Sequence, residues 1–438
     1  MSHNITGASA VQIASSVEAS VRSGSLAPGA QLPTVRALAD TLRVSPTTVA
    51  AAYRSLRQRG LVVAAGRRGS AVSPHPPLGP QPAARIPAHA RDLLSGNPDP
   101  ALLPALAPAL RAIDTTPVLY GEPVCEPGLL ATARESLAAD GIPVEAVTIV
   151  SGALDGLERA LVAWLRPGDR VAVEDPGFPA VFHLLSALGL TAVPVGVDDA
   201  GPLARDVERA LRSGVSALIV TTRAQNPFGS ALDERRAREL SRLLRVHPEL
   251  LVLEDDHGGA VAGAPARTLC GAHTPRWAVV RSVSKSLGPD LRLAFLAGDP
   301  TTVARVEGRL SLGIRWVSHL LQRTVAALLA DREVAKLLRR AERGYDQRRQ
   351  ALLAALAAQQ IPAHGRSGLS VWIPVQDEQA AAQALLADGY AVATGSRFRI
   401  RSGPALRVTI STLAPEEAPP LARALARALR PAGRSHSV

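Results

Sequence analysis

Between Ser73 and Ala90 the chain carries six prolines: Pro74, Pro76, Pro77, Pro80, Pro82 and Pro87. Each fixes its own φ and lacks an amide hydrogen, so no helix or central strand can run through the stretch. The segment is expected to be extended and semi-rigid, at about 3 Å per residue. It divides the 438 residues into a first part, 1–73, a linker, 74–90, and a second part, 91–438. Such a linker could carry the first part onto another subunit.

The first part is small and basic, with eight arginines against Glu18 and Asp40. Val11 to Arg22 has an apolar stripe at helical spacing: Val11, Ile13, Ala14, Val17 and Val21. Pro28-Gly29 stops it. Thr34 can cap a second helix that carries Val35, Leu38, Ala39 and Leu42 on one face. Ser45 can cap a third, with Pro46 at its favoured first position and Val49, Ala52, Tyr53 and Leu56 inward. Gly60 ends that helix. Leu61-Val62-Val63 and Ser70-Ala71-Val72 then flank Gly66-Arg67-Arg68-Gly69, as in a β-hairpin with arginines at its tip. Two helices joined by a short turn, followed by a basic hairpin, make a winged helix-turn-helix. Its third helix would enter a major groove, and its wing would meet phosphates or the minor groove.

The runs Leu32-Pro33-Thr34-Val35-Arg36-Ala37-Leu38-Ala39, Val44-Ser45-Pro46-Thr47-Thr48-Val49 and Ala52-Tyr53-Arg54-Ser55-Leu56 resemble the GntR family of transcription factors. The resemblance implies contacts to double-stranded DNA from Arg36, Ser45, Thr47, Thr48 and the wing residues Arg67, Arg68 and Gly69. Pro46 and Ala50 stand where that family often has basic residues. Base readout would then be thinner, and Arg36, Arg67 and Arg68 would bind more through phosphates.

In the second part, short apolar runs alternate with helical patterns. Strands are expected at Val147–Val150, Arg170–Val173, Ala192–Val195, Ala217–Thr221, Leu250–Leu253, Ala278–Arg281 and Leu293–Leu296. Helices such as Leu154–Leu165 and Ala231–Leu244 lie between them. The pattern predicts an α/β domain with a mainly parallel sheet. From Thr301 to about Ala358 the chain reads as helical, and a smaller α+β portion follows, with strands at Leu369–Ile373 and Leu406–Ile410.

A mainly parallel sheet gathers ligands at the carboxyl ends of its strands, where the chemically distinctive residues fall. Lys285 is one of two lysines among the 49 basic residues. Unlike an arginine, a lysine can lose its proton when desolvated and form a Schiff base with an aldehyde. Ser282, Ser284 and Ser286 flank it and Arg292 follows, so the stretch offers an amine and a phosphate cradle, as pyridoxal phosphate requires. Read alone, it also fits a basic turn between strands. Ser151-Gly152-Ala153 could seat a phosphate on free amides or be a plain strand–helix turn. Phe178 could stack on a flat ring or pack in the core. Asn226 could donate to a phenolate oxygen or simply shape a turn. Asp255 and Asp256 form a carboxylate pair that is costly unless it neutralises something, such as a protonated pyridine nitrogen.

The order of these features resembles the class I/II aminotransferases, which are fold-type I pyridoxal phosphate enzymes. With the GntR-like head and the linker, the whole chain is identified as a member of the MocR subfamily of regulators. That resemblance implies pyridoxal 5'-phosphate as cofactor, with Lys285 carrying it as an internal aldimine. Asp255 would pair with the ring nitrogen, Asn226 would bind the ring hydroxyl and Phe178 would stack on the ring. Gly152, Ala153, Ser282, Ser284 and Arg292 would hold the phosphate. Tyr120 would reach in from the second subunit of a homodimer, and Arg407 would receive the carboxylate of an amino-compound effector. His257 stands where the subfamily usually has tyrosine. It could still donate to the ring oxygen but titrates near neutrality, so altered aldimine protonation is expected. Arg223 stands where proline is common.

Three functions compete. In the first, a DNA-binding regulator senses pyridoxal phosphate or an amino compound through its aminotransferase-like domain. In the second, an aminotransferase carries an appended head. In the third, the second part is only a dimerisation scaffold. The basic head weighs against the second, and the intact Lys285, Asp255, Asn226 and Arg292 weigh against the third. Cys125 and Cys270 are far apart and in no metal-ligand spacing, so neither a disulfide framework nor a metal site is expected. With no signal peptide and no membrane span read, the expected location is the cytoplasm.

Overall fold

A computed structural model describes residues 5–58, 60–64, 69–73 and 86–429. Arg67, Arg68 and most of the proline-rich linker lie outside the described residues. In the first part, α1 (Ala10–Arg22) buries Ile13, Ala14, Val17 and Val21 along one face. Thr34 accepts from the Ala37 amide and starts α2 (Val35–Leu42). Ser45 Oγ accepts from the Thr48 amide at 3.1 Å and starts α3 (Pro46–Gln58). Val49, Ala52, Tyr53 and Leu56 turn inward, each at most 1% exposed. Burial pushes the Tyr53 phenol up to about 12, and its hydroxyl donates to Pro33 O at 2.9 Å, tying α3 to the start of α2. Strands β1 (Val62–Ala64) and β2 (Ser70–Val72) pair antiparallel, forming the stem of the expected hairpin.

After the linker, β3 (Arg91–Asp92) leads to α4 (Leu106–Ala112) and α5 (Pro127–Ala139). The large domain then alternates β4 (Ala146–Val150), α6 (Ala153–Trp164), β5 (Arg170–Asp175), α7 (Pro179–Ala187), β6 (Thr191–Asp198), β7 (Gly201–Pro202), α8 (Ala204–Arg212), β8 (Ala217–Val220), α9 (Glu234–Arg245) and β9 (Leu251–Asp256). Strands β10 (Arg276–Ser282) and β11 (Ala294–Gly298) complete a sheet of order β4-β11-β10-β9-β8-β5-β6-β7. Strands β10, β9, β8, β5 and β6 pair parallel, while β11 runs antiparallel to both neighbours and β7 is a short antiparallel edge. The sheet is buried on both faces, which is why its strands read as near-continuous apolar runs.

The helix expected from Ala231 starts later. Residues 231–233 are not helical: the Ala231 and Leu232 amides bond to Asp199 O and Thr222 O, and Asp233 caps α9 by accepting from the Arg236 amide. Helices α10 (Pro300–Ser311), α11 (His319–Ala330) and the 27-residue α12 (Arg332–Ala358) carry the chain to a smaller domain. There β12 (Ser370–Pro374), α13 (Glu378–Ala387), β13 (Tyr390–Ala391), β14 (Ala393–Thr394), β15 (Ala405–Thr409) and α14 (Ala418–Ala428) enclose a separate apolar core. β3 pairs parallel with β13, so the chain joins this domain first and brings residues 93–97 back to the large sheet. No helix of the described residues is long and apolar enough to cross a membrane.

The first part rests on the end of α7. Ser186 Oγ donates to Gly60 O at 2.7 Å and lies 3.2 Å from Ser73 Oγ. Gly60 has φ +68°, and a Cβ there would lie 1.6 Å from Ser186 O, so only glycine permits this approach.

A candidate cofactor cavity and a candidate DNA-binding face

The carboxyl ends of β4, β5, β9 and β10 and the incoming 94–97 segment surround a cavity of about 660 Å³. Of the expected residues, Ala153, Phe178, Asn226, Asp255 and His257 line it, as do Ser282, Ser284, Lys285, Arg292 and Arg407. Gly152 sits just outside, as the α6 N-cap at φ 96°; a Cβ on it would come within 3.1 Å of an Arg292 guanidinium nitrogen. The absent side chain therefore brings Arg292 close to the amides that open α6. Ser282 and Ser284 hydroxyls are 3.0 Å apart on the same side of the chain turn. These groups supply the donors and positive charge that a phosphate needs.

Lys285 follows β10, and its Nζ donates to Gly96 O at 2.6 Å. Burial lowers its pKa, the charge of Arg407 adds to that, and Asp255 partly opposes both. A larger fraction of neutral, nucleophilic amine is therefore present than on an exposed lysine.

The pleat of β9 separates its three acids. Asp255 faces the cavity and is 4% exposed. Its Oδ1 is buried without a hydrogen-bond partner among the described residues, and its Oδ2 lies 3.5 Å from His257 Nδ1. An unpartnered buried carboxylate oxygen is costly, and a protonated ring nitrogen is a donor that would satisfy it. The residues present therefore fit pyridoxal phosphate. Asp256 turns to the other face, so the two carboxylates do not act as one pair. Arg223 Nε and Arg281 Nε grip Asp256 at 2.8 and 2.7 Å, and both guanidinium groups also reach Asp140. Burial alone would raise the Asp256 pKa; the hydrogen bonds of Arg223 and the charges of both arginines overcome it and hold the carboxyl at about 2. Burial pushes Glu254, on the same face, up to about 7. Glu174, at the end of β5, also rises to about 7, although the Thr221 amide and Gln225 donate to it at 3.1 Å.

Arg407 leaves β15 and is 5% exposed. It donates to Asn226 Oδ1 at 3.3 Å and to Leu94 O, and its guanidinium lies 4.9 Å from the Phe398 ring centroid. Its Nε has no partner among the described residues. Burial, then the nearby charge of Arg397, lowers its pKa to about 10.

Tyr120 is the expected residue that the chain does not bring to its own cavity. It is 79% exposed, packs edge-on against Trp316 at 5.6 Å and lies under Arg315. Sequence reasoning missed Gly96, His183, Arg397 and the Arg223–Asp256–Arg281–Asp140 cluster. No local spacing marks them, because distant segments bring them together.

On the first part, Arg36, Ser45 and Thr47 are exposed and Thr48 is half-buried. The Ser45 hydroxyl lies 2.7 and 2.8 Å from those of Thr47 and Thr48, a cluster at the amino end of α3. Gly69 is exposed at φ 87° with open space around it. The amino end of α3 presents hydroxyls, and Arg36 stands exposed in the first turn of α2.

Family comparisons agree with this geometry. Residues 9–72 match the family model for bacterial regulatory proteins of the gntR family, and residues 127–425 match that for aminotransferase class I and II. The vitamin B6 salvage pathway transcriptional repressor PtsJ of Salmonella typhimurium is 41% identical over 431 residues, covering 97% of this chain and 99% of its own. The pyridoxine biosynthesis transcriptional regulator PdxR of Corynebacterium glutamicum is 28% identical over 77% of this chain and 76% of its own. Among solved structures, LysN, an α-aminoadipate aminotransferase from Thermus thermophilus, superposes with a TM-score of 0.69 at 24% identity, covering 78% of this chain and 92% of its own. That likeness establishes the fold of the second part. The chain therefore belongs to the MocR subfamily of GntR-family transcriptional regulators, with a winged helix-turn-helix joined to a class I and II aminotransferase domain.

Proposed function

We propose that the protein binds pyridoxal 5'-phosphate in the cavity and alters its grip on operator DNA according to what the cavity holds, working in the cytoplasm. The single observation that carries this is the buried, unpartnered Asp255 Oδ1 in the cavity that Lys285 also lines. The relative named as a vitamin B6 salvage repressor, similar over nearly the full length, supports the regulator over a free-standing aminotransferase.

Pyridoxal phosphate, when bound, supplies an aldehyde that condenses reversibly with amines and a ring that withdraws electrons while its nitrogen is protonated. Lys285 would offer its amine to that aldehyde. Asp255 would hold the proton on the ring nitrogen, with His257 bracing Asp255. Asn226 would orient the ring hydroxyl and Phe178 would cover the ring. Arg292, Ser282, Ser284 and the amides following Gly152 would hold the phosphate. Arg407 would hold the carboxylate of an incoming amino compound.

The cavity and the head share α7. Phe178, Pro179, Ala180 and His183 line the cavity, and Ser186 holds Gly60. A ligand that binds two positions of α7 unequally shifts the head between its docked and free states. Residues 1–73 serve as the DNA-binding domain, 74–90 as the linker and 91–438 as the effector domain. A homodimer is favoured by the exposed apolar group Leu119, Tyr120, Val124, Leu312, Ile314 and Leu320. In a dimer, Tyr120 would enter the partner's cavity.

Absorbance titration tests the cofactor half. Wild-type protein should turn yellow with pyridoxal phosphate, and Lys285→Ala should lose the visible band. A colourless wild type would sink the reading.

A further inference from the structure

Two arginines face one cavity, and the proposed cofactor needs neither. Arg407 lies on its wall. Arg397 lines the same cavity from the 395–398 turn, with His183 of α7 also on the lining. Arg397 is close enough that its charge lowers the pKa of both Arg407 and His183, in each case after burial. Among the described residues, no carboxylate lies within ion-pair distance of Arg397 or Arg407; the charge of Asp92 reaches Arg407 from farther off and offsets its burial only in part.

The Arg397 turn is held from both sides. Asp175, at the end of β5, accepts from the amides of Ile400, Arg401 and Ser402 at 2.9, 2.7 and 3.0 Å and from the Ser402 hydroxyl at 2.9 Å. The Gly177 amide donates to Phe398 O at 2.7 Å. Arg399 pairs with Glu378 at 3.1 Å, and Glu378 also accepts from the Ala405 amide. A backbone fixed by so many bonds presents its arginine with little ordering left to do on binding. Holding two like charges on one cavity wall is unfavourable unless a ligand brings opposite charge. The phosphate of the cofactor would lie at Arg292, and one carboxylate would satisfy only Arg407.

We propose that the amino compound taken by this cavity carries two anionic groups: a carboxylate on Arg407 and a second anion, carboxylate or phosphate, on Arg397. The inference rests on the function proposed above and adds the chemical class of the effector.

The test uses the full-length protein loaded with pyridoxal phosphate, titrated by cofactor absorbance. L-Glutamate is compared with L-glutamine, and O-phospho-L-serine with L-serine. At least one dianionic member should bind about fivefold more tightly than its neutral counterpart, as a charge-assisted contact to an exposed arginine gives. The tighter of L-glutamate and O-phospho-L-serine then identifies carboxylate or phosphate as the second anion. Arg397→Gln should bring that pair within about twofold, and Arg397→Lys should restore part of the preference. The variant's own cofactor band reports that its cavity is formed. Equal affinities within both pairs in the wild type, or a preference that survives Arg397→Gln, would overturn the inference alone. A cofactor band that no amino acid perturbs would overturn it together with the amino-compound half of the function, while absence of the band would sink the whole reading.

Discussion

In the proposed mechanism, ligand binding in the large domain reaches the head through the contact between Gly60 and Ser186, and a single methyl group tests that route. A Cβ at residue 60 would lie 1.6 Å from Ser186 O and 2.4 Å from its carbonyl carbon. Non-bonded carbon atoms sit about 3.5–4 Å apart, so Gly60→Ala must separate the two surfaces by roughly two ångströms. Alanine at φ +68° adds about 1–2 kcal/mol of backbone strain. Separation also removes the 2.7 Å bond from Ser186 Oγ to Gly60 O, worth about 1 kcal/mol. Ser186→Ala is the milder partner, since it loses that bond without a clash. Operator binding is followed by fluorescence anisotropy at fixed salt, with and without pyridoxal phosphate. The buried face of α3 is untouched, so Gly60→Ala should still bind DNA. Its ratio of affinities with and without cofactor should collapse toward one, and Ser186→Ala should fall between it and wild type. A wild-type ratio in Gly60→Ala would refute the docking contact as the route of the signal.

Further outcomes follow from the same geometry. Asp256→Asn leaves Arg223 and Arg281 sharing only the Asp140 carboxylate and should cost about 3 kcal/mol at neutral pH by denaturant unfolding. The carboxyl pKa falls from 3.8 unfolded to about 2 folded. Its contribution, about 2 kcal/mol, is therefore complete above pH 4 and drains away as pH falls through about 2, an acid limb that the variant should lack. Tyr53→Phe removes the bond to Pro33 O and should lower the stability of the head by about 1 kcal/mol while leaving the large-domain transition in place, read by calorimetry. His257→Tyr removes the ring beside Asp255 and should move the pH midpoint of the cofactor absorbance; an unmoved midpoint would show that His257 has no part in it.

Much of this architecture is legible in the residues, for physical reasons. The head is small and its helices are local, so Thr34, Ser45 and the inward stripe of α3 announce themselves within a few positions. The large sheet is buried on both faces and writes each strand as an apolar run with its chemical residue just beyond. Lys285 stands out because arginine fills nearly every other basic position. The rest depends on long-range closure. Asp140 meets Arg223 and Arg281 across 83 and 141 residues, and Lys285 meets Gly96 across 189. Arg397 looks like any surface arginine until Asp175 binds its turn to the large domain. The alternation of Asp255 and Asp256 follows from the strand pleat, yet only the arginines behind Asp256 show which carboxylate is left for a ligand.

In the proposed function, occupancy at Lys285 governs the hold on DNA. The deciding measurement is the affinity for a DNA fragment that footprinting shows the protein to protect, with and without pyridoxal phosphate, in wild type and in Lys285→Ala. Wild type should show a cofactor-dependent change in affinity, and Lys285→Ala should bind the fragment with an affinity that pyridoxal phosphate no longer alters. Identical wild-type affinities with and without the cofactor, or an undiminished response in Lys285→Ala, would contradict it.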